Sequence, residues 1–257
     1  MASSFDLEIA YWNAWAPGME TKNLWSSWEK GERPIADQPS TIDLSEFPAM
    51  LRRRLSPTGK TAVHCLLKVH EAMPDLESDI PVVFCSHYGE VARSSKLLTS
   101  LAEGAPLSPT DFSLSVHNAV AGVYSIGCAQ KGNITSISAG EGGLTMALLE
   151  ARAMLFGSNS QRALCILYDA PLPEPYPRSM NKVGFPFALA MLLSEVASGE
   201  QSTGDSLRIS LQAKHINLRS KEFPPTAFIR FLLNKHQTRL ELTAGASTWL
   251  YERSDEQ

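Results

Sequence analysis

Strands and helices alternate along this chain in the way that predicts an α/β fold, a mixed sheet covered by helices. Three observations carry the prediction. Pro81-Val-Val-Phe-Cys85 and Leu164-Cys-Ile-Leu-Tyr168 are short continuous apolar runs of the kind buried as central strands. Apolar residues recur at helical spacing before and between them, at Val63, Leu66, Leu67 and Met73, then at Leu144, Leu148, Ala151 and Leu155. The chain has 257 residues, 44% of them hydrophobic, which is enough for one sizeable core.

The elements follow in order. Trp12, Trp15, Trp25 and Trp28 recur at helix-like spacing near the start; packing of a first helix on the sheet accounts for most of them, and one or two suit a subunit contact. A helix over 61–73 leads into the strand 81–85. Asn133 to Ser138 reads as a buried strand that runs through the tight turn Ala139-Gly-Glu-Gly-Gly143 into the next helix. After the strand 164–168, the four prolines between Pro171 and Pro177 exclude regular structure and mark a surface crossover. Phe187-Ala-Leu-Ala-Met-Leu-Leu193 suits a strand or a buried helix equally. Gly199 to Asp205 is a turn-rich linker that divides a main unit, 1–198, from a short extension, 199–257, packed on the same domain. In the extension Leu207-Arg-Ile-Ser-Leu211 alternates like a half-exposed strand, Thr226 to Lys235 reads as a helix after the Pro224-Pro225 stop, and the last seven residues read as frayed.

Composition excludes several functions. A net charge of −4 and a pI near 5.9 give no basic surface for nucleic acid. No apolar run approaches the roughly 18 residues that span a bilayer, and the N-terminus has no secretory signal, so the protein is expected in the cytoplasm. In that compartment the sequon Asn133-Ile134-Thr135 stays unglycosylated. Cys65, Cys85, Cys128 and Cys165 are scattered, three of them inside apolar runs, and read as small core residues. His64, Cys65, Cys85 and His87 lack the paired spacing of a zinc site, and no metal or cofactor is expected.

The strand-turn-helix at 133–151 has the shape of a nucleophile elbow, with Glu141 at the apex between Gly140, Gly142 and Gly143. The glycines are not a phosphate loop, since no Gly-Lys-Ser/Thr follows and no GxGxxG register is present. A carboxylate here is stabilised by the helix dipole by about 0.3–1 kcal/mol, which is one sufficient reason for it.

The wider stretch resembles a known family. Leu107 to Gly122, containing Ser-Pro-Thr-Asp-Phe-Ser-Leu-Ser-Val-His-Asn, and Lys131 to Ala139 look like two consecutive β-ketoacyl synthase signatures. Leu7 to Tyr11 with Leu24 to Ile35 resembles that family's first strand and helix, and Arg162 to Asp169 the strand after the elbow helix. The resemblance covers about residues 6–196 and implies a thiolase-like fold of half length. It places Glu141 where the family has its catalytic cysteine. His64, His70, His87, His117, His215 and His236 match neither of the family's two active-site histidines.

The chain therefore resembles the short ketosynthase-like proteins of aryl polyene pathways, which are similar to chain-length factors. The resemblance implies a noncatalytic subunit that pairs with an active β-ketoacyl synthase in polyketide or fatty-acid-like biosynthesis and shapes its acyl tunnel. Phe112, Leu114, Val116, His117 and Asn118, with Ile134 and Ser136 on the elbow strand, are its expected interface and tunnel residues. Arg52, Arg53 and Arg54, otherwise a solvated helix start, are candidates to meet an acidic acyl carrier protein or its phosphopantetheine phosphate. His117 and Asn118 equally suit a helix cap. The alternative from another class is a standalone malonyl-carrier decarboxylase or acyl hydrolase using Glu141 with His117 or His87. Against it, a mixed anhydride on Glu141 would hydrolyse readily, and condensation needs histidine donors.

Overall fold

The computed structural model describes residues 4–36, 42–157, 160–180, 182–196, 204–212 and 222–254. In chain order these form β1 (Ser4–Trp15), α1 (Lys22–Glu29), α2 (Ala49–Arg52), α3 (Pro57–Ala72), β2 (Val82–Cys85), α4 (Val91–Ala102), α5 (Pro109–Ser113) and α6 (Ala119–Gly127). Then come β3 (Ile134–Ile137), α7 (Gly143–Phe156), β4 (Arg162–Asp169), β5 (Phe187–Ser194), β6 (Asp205–Gln212), α8 (Pro224–Leu233), β7 (Arg239–Ala244) and β8 (Ser247–Arg253).

The strands make one sheet in the order β3-β2-β4-β5-β1-β6-β8-β7. β2 runs parallel to both β3 and β4, and every other neighbouring pair is antiparallel. Both faces are covered, which is why the central strands are apolar at every position rather than at alternate ones. Val82 and Phe84 point towards α3 and α6, into a core with Val63, Leu66, Val120 and Tyr124. Val83 and Cys85 point the other way, into a core with Leu144, Leu148, Phe228 and Trp25.

The far end of the sheet closes over α7. Tyr251 on β8 is fully buried, its hydroxyl 2.5 Å from Thr145 Oγ1 on α7, and Leu242 on β7 joins the same core. Helix α7 is thus apolar around most of its circumference, burying Leu144, Ala147, Leu148, Ala151 and Leu155.

Several expectations need correction. The elbow strand is not buried: β3 is an edge strand, half-buried at all four positions, because no described strand lies beyond it. Trp12 and Trp15 are in β1, not in a helix. A bulge between Ile9 and Tyr11 shifts the strand's phase, so Leu7 and Ile9 and then Trp12 and Ala14 face one core while Trp15 faces the other. Only Trp25 and Trp28 are helical, packed edge to face at 5.4 Å.

Pro224 and Pro225 are the first residues of α8 rather than a stop before it, since the first turn of a helix needs no donors. The arginine run ends α2 instead of starting a helix, and Arg52 donates to the Leu44 carbonyl at 2.9 Å. Tyr251 to Arg253 belong to β8, so that part of the terminus is paired rather than frayed. Residues 187–193 resolve to strand, pairing with β4 and β1 on its two sides. Residues 199–203 of the expected linker and His215 lie outside the described residues.

Candidate functional site

β3 ends at Ile137, and residues Gly140–Gly142 form a single 3₁₀ turn before α7 begins at Gly143. Gly140 has φ +54°, a left-handed conformation that favours glycine. At Gly143 the backbone passes so close to β2 that a Cβ would lie 3.2 Å from Cys85 Sγ. Two of the three glycines are thus dictated by the sharpness of the elbow. Glu141 is held out at its apex, half-exposed, with Oε1 3.4 Å from Lys182 Nζ.

A cavity of about 360 Å³ opens beside the turn, at the ends of β2 and β4. Glu141, His87, Asp169, Lys182, Glu222 and Thr243 form its polar side, and Leu144, Leu167, Val183, Phe187 and Leu242 are on its apolar side. The start of α8 and Gly245 in the β7–β8 turn complete the wall.

Asp169 organises the loop that carries His87. It accepts hydrogen bonds from Ser86 Oγ (2.8 Å) and from the backbone N–H groups of His87 (2.7 Å) and Tyr88 (3.0 Å). Burial pushes its carboxyl up from the usual carboxylate range, and the three donated bonds oppose that shift. Ser138 Oγ, at the start of the turn, donates to the His87 carbonyl at 3.1 Å, so elbow and loop are tied together. The Tyr88 hydroxyl receives the Lys182 N–H and donates to the Met180 carbonyl, which fixes the neighbourhood of Glu141's partner.

Among the described residues, the one thiol in the cavity wall is poorly placed as a nucleophile. Cys85 is buried and donates to the Gly143 carbonyl at 3.4 Å; burial first, and the Asp169 charge second, push its thiol up to about 12. Cys65 lies in the opposite core, so it cannot join Cys85 around one ion. Among the described residues, no group of three or more His, Cys, Asp or Glu could hold a metal.

The two candidate partners of Glu141 separate. His87 lines the same cavity, whereas His117 sits behind the elbow with Nε2 2.9 Å from the Ile137 carbonyl. A carbonyl only accepts, so Nε2 carries the proton. His117, Asn118, Ile134 and Ser136 line a second, open cavity of about 480 Å³ together with Ala121, Gly122 and Ser125 of α6. Asn118 precedes α6 but makes no side-chain capping bond. Ser136 Oγ is buried without a hydrogen-bond partner among the described residues.

Phe112 and Val116 are exposed nearby, 67% and 49%, while Leu114 is half-buried against the core. Arg53 and Arg54 are exposed, and the Arg54 carbonyl receives Arg93. Sequence reasoning gave Asp169 and Lys182 no site role and read Cys85 as a core residue, which it is, without seeing that it also lines the cavity. The signal available was an acidic residue ending an apolar strand; nothing local marks Lys182 or the wall supplied by α8 and β7.

An elbow at the carboxyl ends of parallel strands, with one antiparallel strand beside β4, defines a thiolase-like α/β protein. The model of the β-ketoacyl synthase N-terminal domain matches residues 25–252, and the chain belongs to that family. A chain of the ketosynthase (ApeO) in complex with its chain length factor (ApeC) from Xenorhabdus doucetiae is similar at 25% identity and a TM-score of 0.80. That match covers 97% of this chain and 100% of the other.

The ishigamide ketosynthase/chain length factor matches with a TM-score of 0.59 at 13% identity, over 81% of this chain and 67% of the other. A β-ketoacyl synthase from Burkholderia phymatum matches with a TM-score of 0.60 at 11% identity, over 89% and 70%. The last two show likeness of fold alone. No curated protein matches the sequence. Among the described residues, no helix is long and apolar enough to cross a membrane.

Proposed function

We propose that the chain is a noncatalytic, chain-length-factor-like subunit that pairs with an active β-ketoacyl synthase in type II polyketide or aryl polyene biosynthesis. The observation that carries this reading is the end-to-end match to a chain of a ketosynthase–chain length factor complex, combined with Glu141 at the elbow's apex. A carboxylate already paired with an ammonium is a poor acyl acceptor, and the cavity's thiol is protonated.

The partner face in this reading is the outer edge of β3 with Phe112 to Asn118. The ladder to β2 supports the assignment. Asn133 and Ile137 carbonyls receive the Val82 and Ser86 N–H groups, so by alternation the backbone groups of Ile134 and Ser136 point outwards. An edge of this kind is a template for a strand from another subunit. The second cavity would then form the far end of the partner's acyl tunnel, and its lining on α6 would set how far a growing chain extends before meeting a wall. The carrier protein, loaded with its acyl chain, would approach near Arg52, Arg53 and Arg54, of which Arg53 and Arg54 are the exposed ones.

Coexpression with a ketosynthase encoded beside it, tagging only this chain, tests the reading. A one-to-one complex is the expected result, with product formation that survives Glu141→Ala. Phe112→Ala is expected to lengthen the product distribution, read by mass spectrometry. Turnover of malonyl-carrier by the isolated chain that vanishes in Glu141→Ala would replace this reading with the standalone enzyme, for which His87 is the available imidazole.

A further inference from the structure

The pairing proposed above uses the cavity behind the elbow and leaves the one beside it, of about 360 Å³, without a role. The two cavities share no lining residue. The apolar wall of the first is assembled from distant parts of the chain. Leu144 comes from α7, Leu167 from β4, Phe187 from β5 and Leu242 from β7, all of them buried. Phe223 and the two prolines that start α8 extend this wall, and Phe223 stands edge to face on Phe187 at 4.8 Å. These four buried residues also belong to one of the two cores, so close packing holds the wall in shape whether or not anything fills the space. A concave, largely apolar space of this size is in the range that holds a small molecule.

Most of the polar groups around it already have partners. Asp169 accepts three hydrogen bonds, Glu222 pairs with Arg230 at 3.3 Å and Glu141 with Lys182 at 3.4 Å, and Thr243 Oγ1 lies 3.2 Å from Thr248 Oγ1. His87 is the exception. Its backbone N–H is bonded to Asp169, but its ring nitrogens make no hydrogen bond among the described residues. The ring is half-buried and stands edge to face against Tyr88 at 4.4 Å, which fixes where it can offer a hydrogen bond. The cavity thus combines one free hydrogen-bonding group with an apolar wall.

Charge narrows the ligand further. The wall carries three carboxylates, Glu141, Asp169 and Glu222, against one ammonium, Lys182, so an anion enters against the local field. Lys182 does not reverse this, because Glu141 lies beside it and both side chains are half-exposed. A cation gains little either. Asp169 is buried and bonded, the other two carboxylates have cations of their own, and the apolar wall would strip a charged head of its water.

We propose that this cavity is a binding site for an uncharged, mainly apolar molecule with a single hydrogen-bonding head, its body against the apolar wall and its head on the His87 imidazole. A fatty alcohol is the simplest member of that class. Free fatty acids and malonyl groups, which are anions at neutral pH, are disfavoured by the same wall. The site uses only the chain's own cavity and does not depend on the synthase.

The test measures binding of three probes of equal chain length, 1-octanol, octanoate and octylammonium, to the full chain by calorimetry, with melting temperature as a second readout. The expected result is saturable binding of 1-octanol that raises the melting temperature, with octanoate and octylammonium at least about tenfold weaker. His87→Ala should weaken 1-octanol by about three- to tenfold, the effect of one hydrogen bond. Glu141→Lys alters a half-exposed residue, so the fold should stand, and octanoate should then bind about tenfold more tightly than to the parent. Leu242→Trp fills the cavity and should abolish binding; the melting temperature of the unliganded variant shows whether it has folded.

Absence of saturable 1-octanol binding to the parent chain would overturn the proposal, as would octanoate binding as tightly as the alcohol. Binding that survives His87→Ala at full strength but is lost in Gly122→Leu, a change in the lining of the second cavity, would place the alcohol behind the elbow and overturn it as well.

Discussion

The two edges of the sheet are finished in opposite ways. β7, at one end, shows Arg239 and Glu241 to solvent and pairs Arg239 with Glu252 at 3.0 Å. Charges on an edge strand discourage another strand from adding to it. β3, at the other end, reads Ile-Thr-Ser-Ile without a charge and is half-buried throughout, with Phe112 and Val116 exposed nearby. One edge is protected and the other is left receptive. The difference teaches that, among the described strands, one sheet edge is open to a further strand and the other is guarded by charge, and the elbow lies directly behind the open one.

The largest expected effect comes from proline at the receptive edge. Ser136→Pro removes an outward N–H while sparing the ladder to β2, so the isolated chain should keep its fold while affinity for the synthase drops by about a hundredfold or more, read by copurification. Thr135→Pro is the counterpart on the same strand. Its N–H faces β2, and the expected result is loss of the fold itself, visible as a lowered melting temperature.

At the protected edge, Arg239→Val with Glu241→Val should convert β7 into a sticky strand. Concentration-dependent self-association in sedimentation is the outcome to look for, and a monomer unchanged at all concentrations would break the contrast between the edges. Tyr251→Phe probes the closure of β8 over α7. Losing the hydrogen bond to Thr145 in a buried setting should lower stability by about 1–3 kcal/mol in denaturant unfolding. Glu141→Ala should be the mildest, within about 1 kcal/mol, since its pair with Lys182 is half-exposed on both sides.

Much of this was legible in the chain itself. The central strands, α3 and α7 could be read because their apolar patterns match what the fold buries: Val63 and Leu66 on α3, and the full stripe from Leu144 to Leu155 on α7, lie in the two cores. The elbow was legible because its glycines answer to backbone geometry, at Gly140 by positive φ and at Gly143 by the approach to Cys85.

The misses have physical causes. A bulge in β1 disguised two strand tryptophans as helical ones. The hairpin of residues 239–253 was not read, because β7 and β8 are mixed in burial and gain their meaning only when β8 pairs with β6, β7 pairs with β8, and the hairpin closes over α7. The position of β3 at the edge was equally invisible, since a short apolar segment reads the same whether it has one neighbour or two. His117 and Glu141 are close in sequence to the same elbow, yet the strand between them sends one to each cavity, which spacing alone does not reveal.

The most direct test of the account is hydrogen exchange at β3 in the chain alone and in its complex with the synthase. The amides of Ile134 and Ser136 should exchange rapidly in the free chain and become strongly protected in the complex, while those of β7 stay as they were. Rapid exchange at Ile134 and Ser136 in a fully formed complex would show that the partner does not use this edge, and would contradict the account.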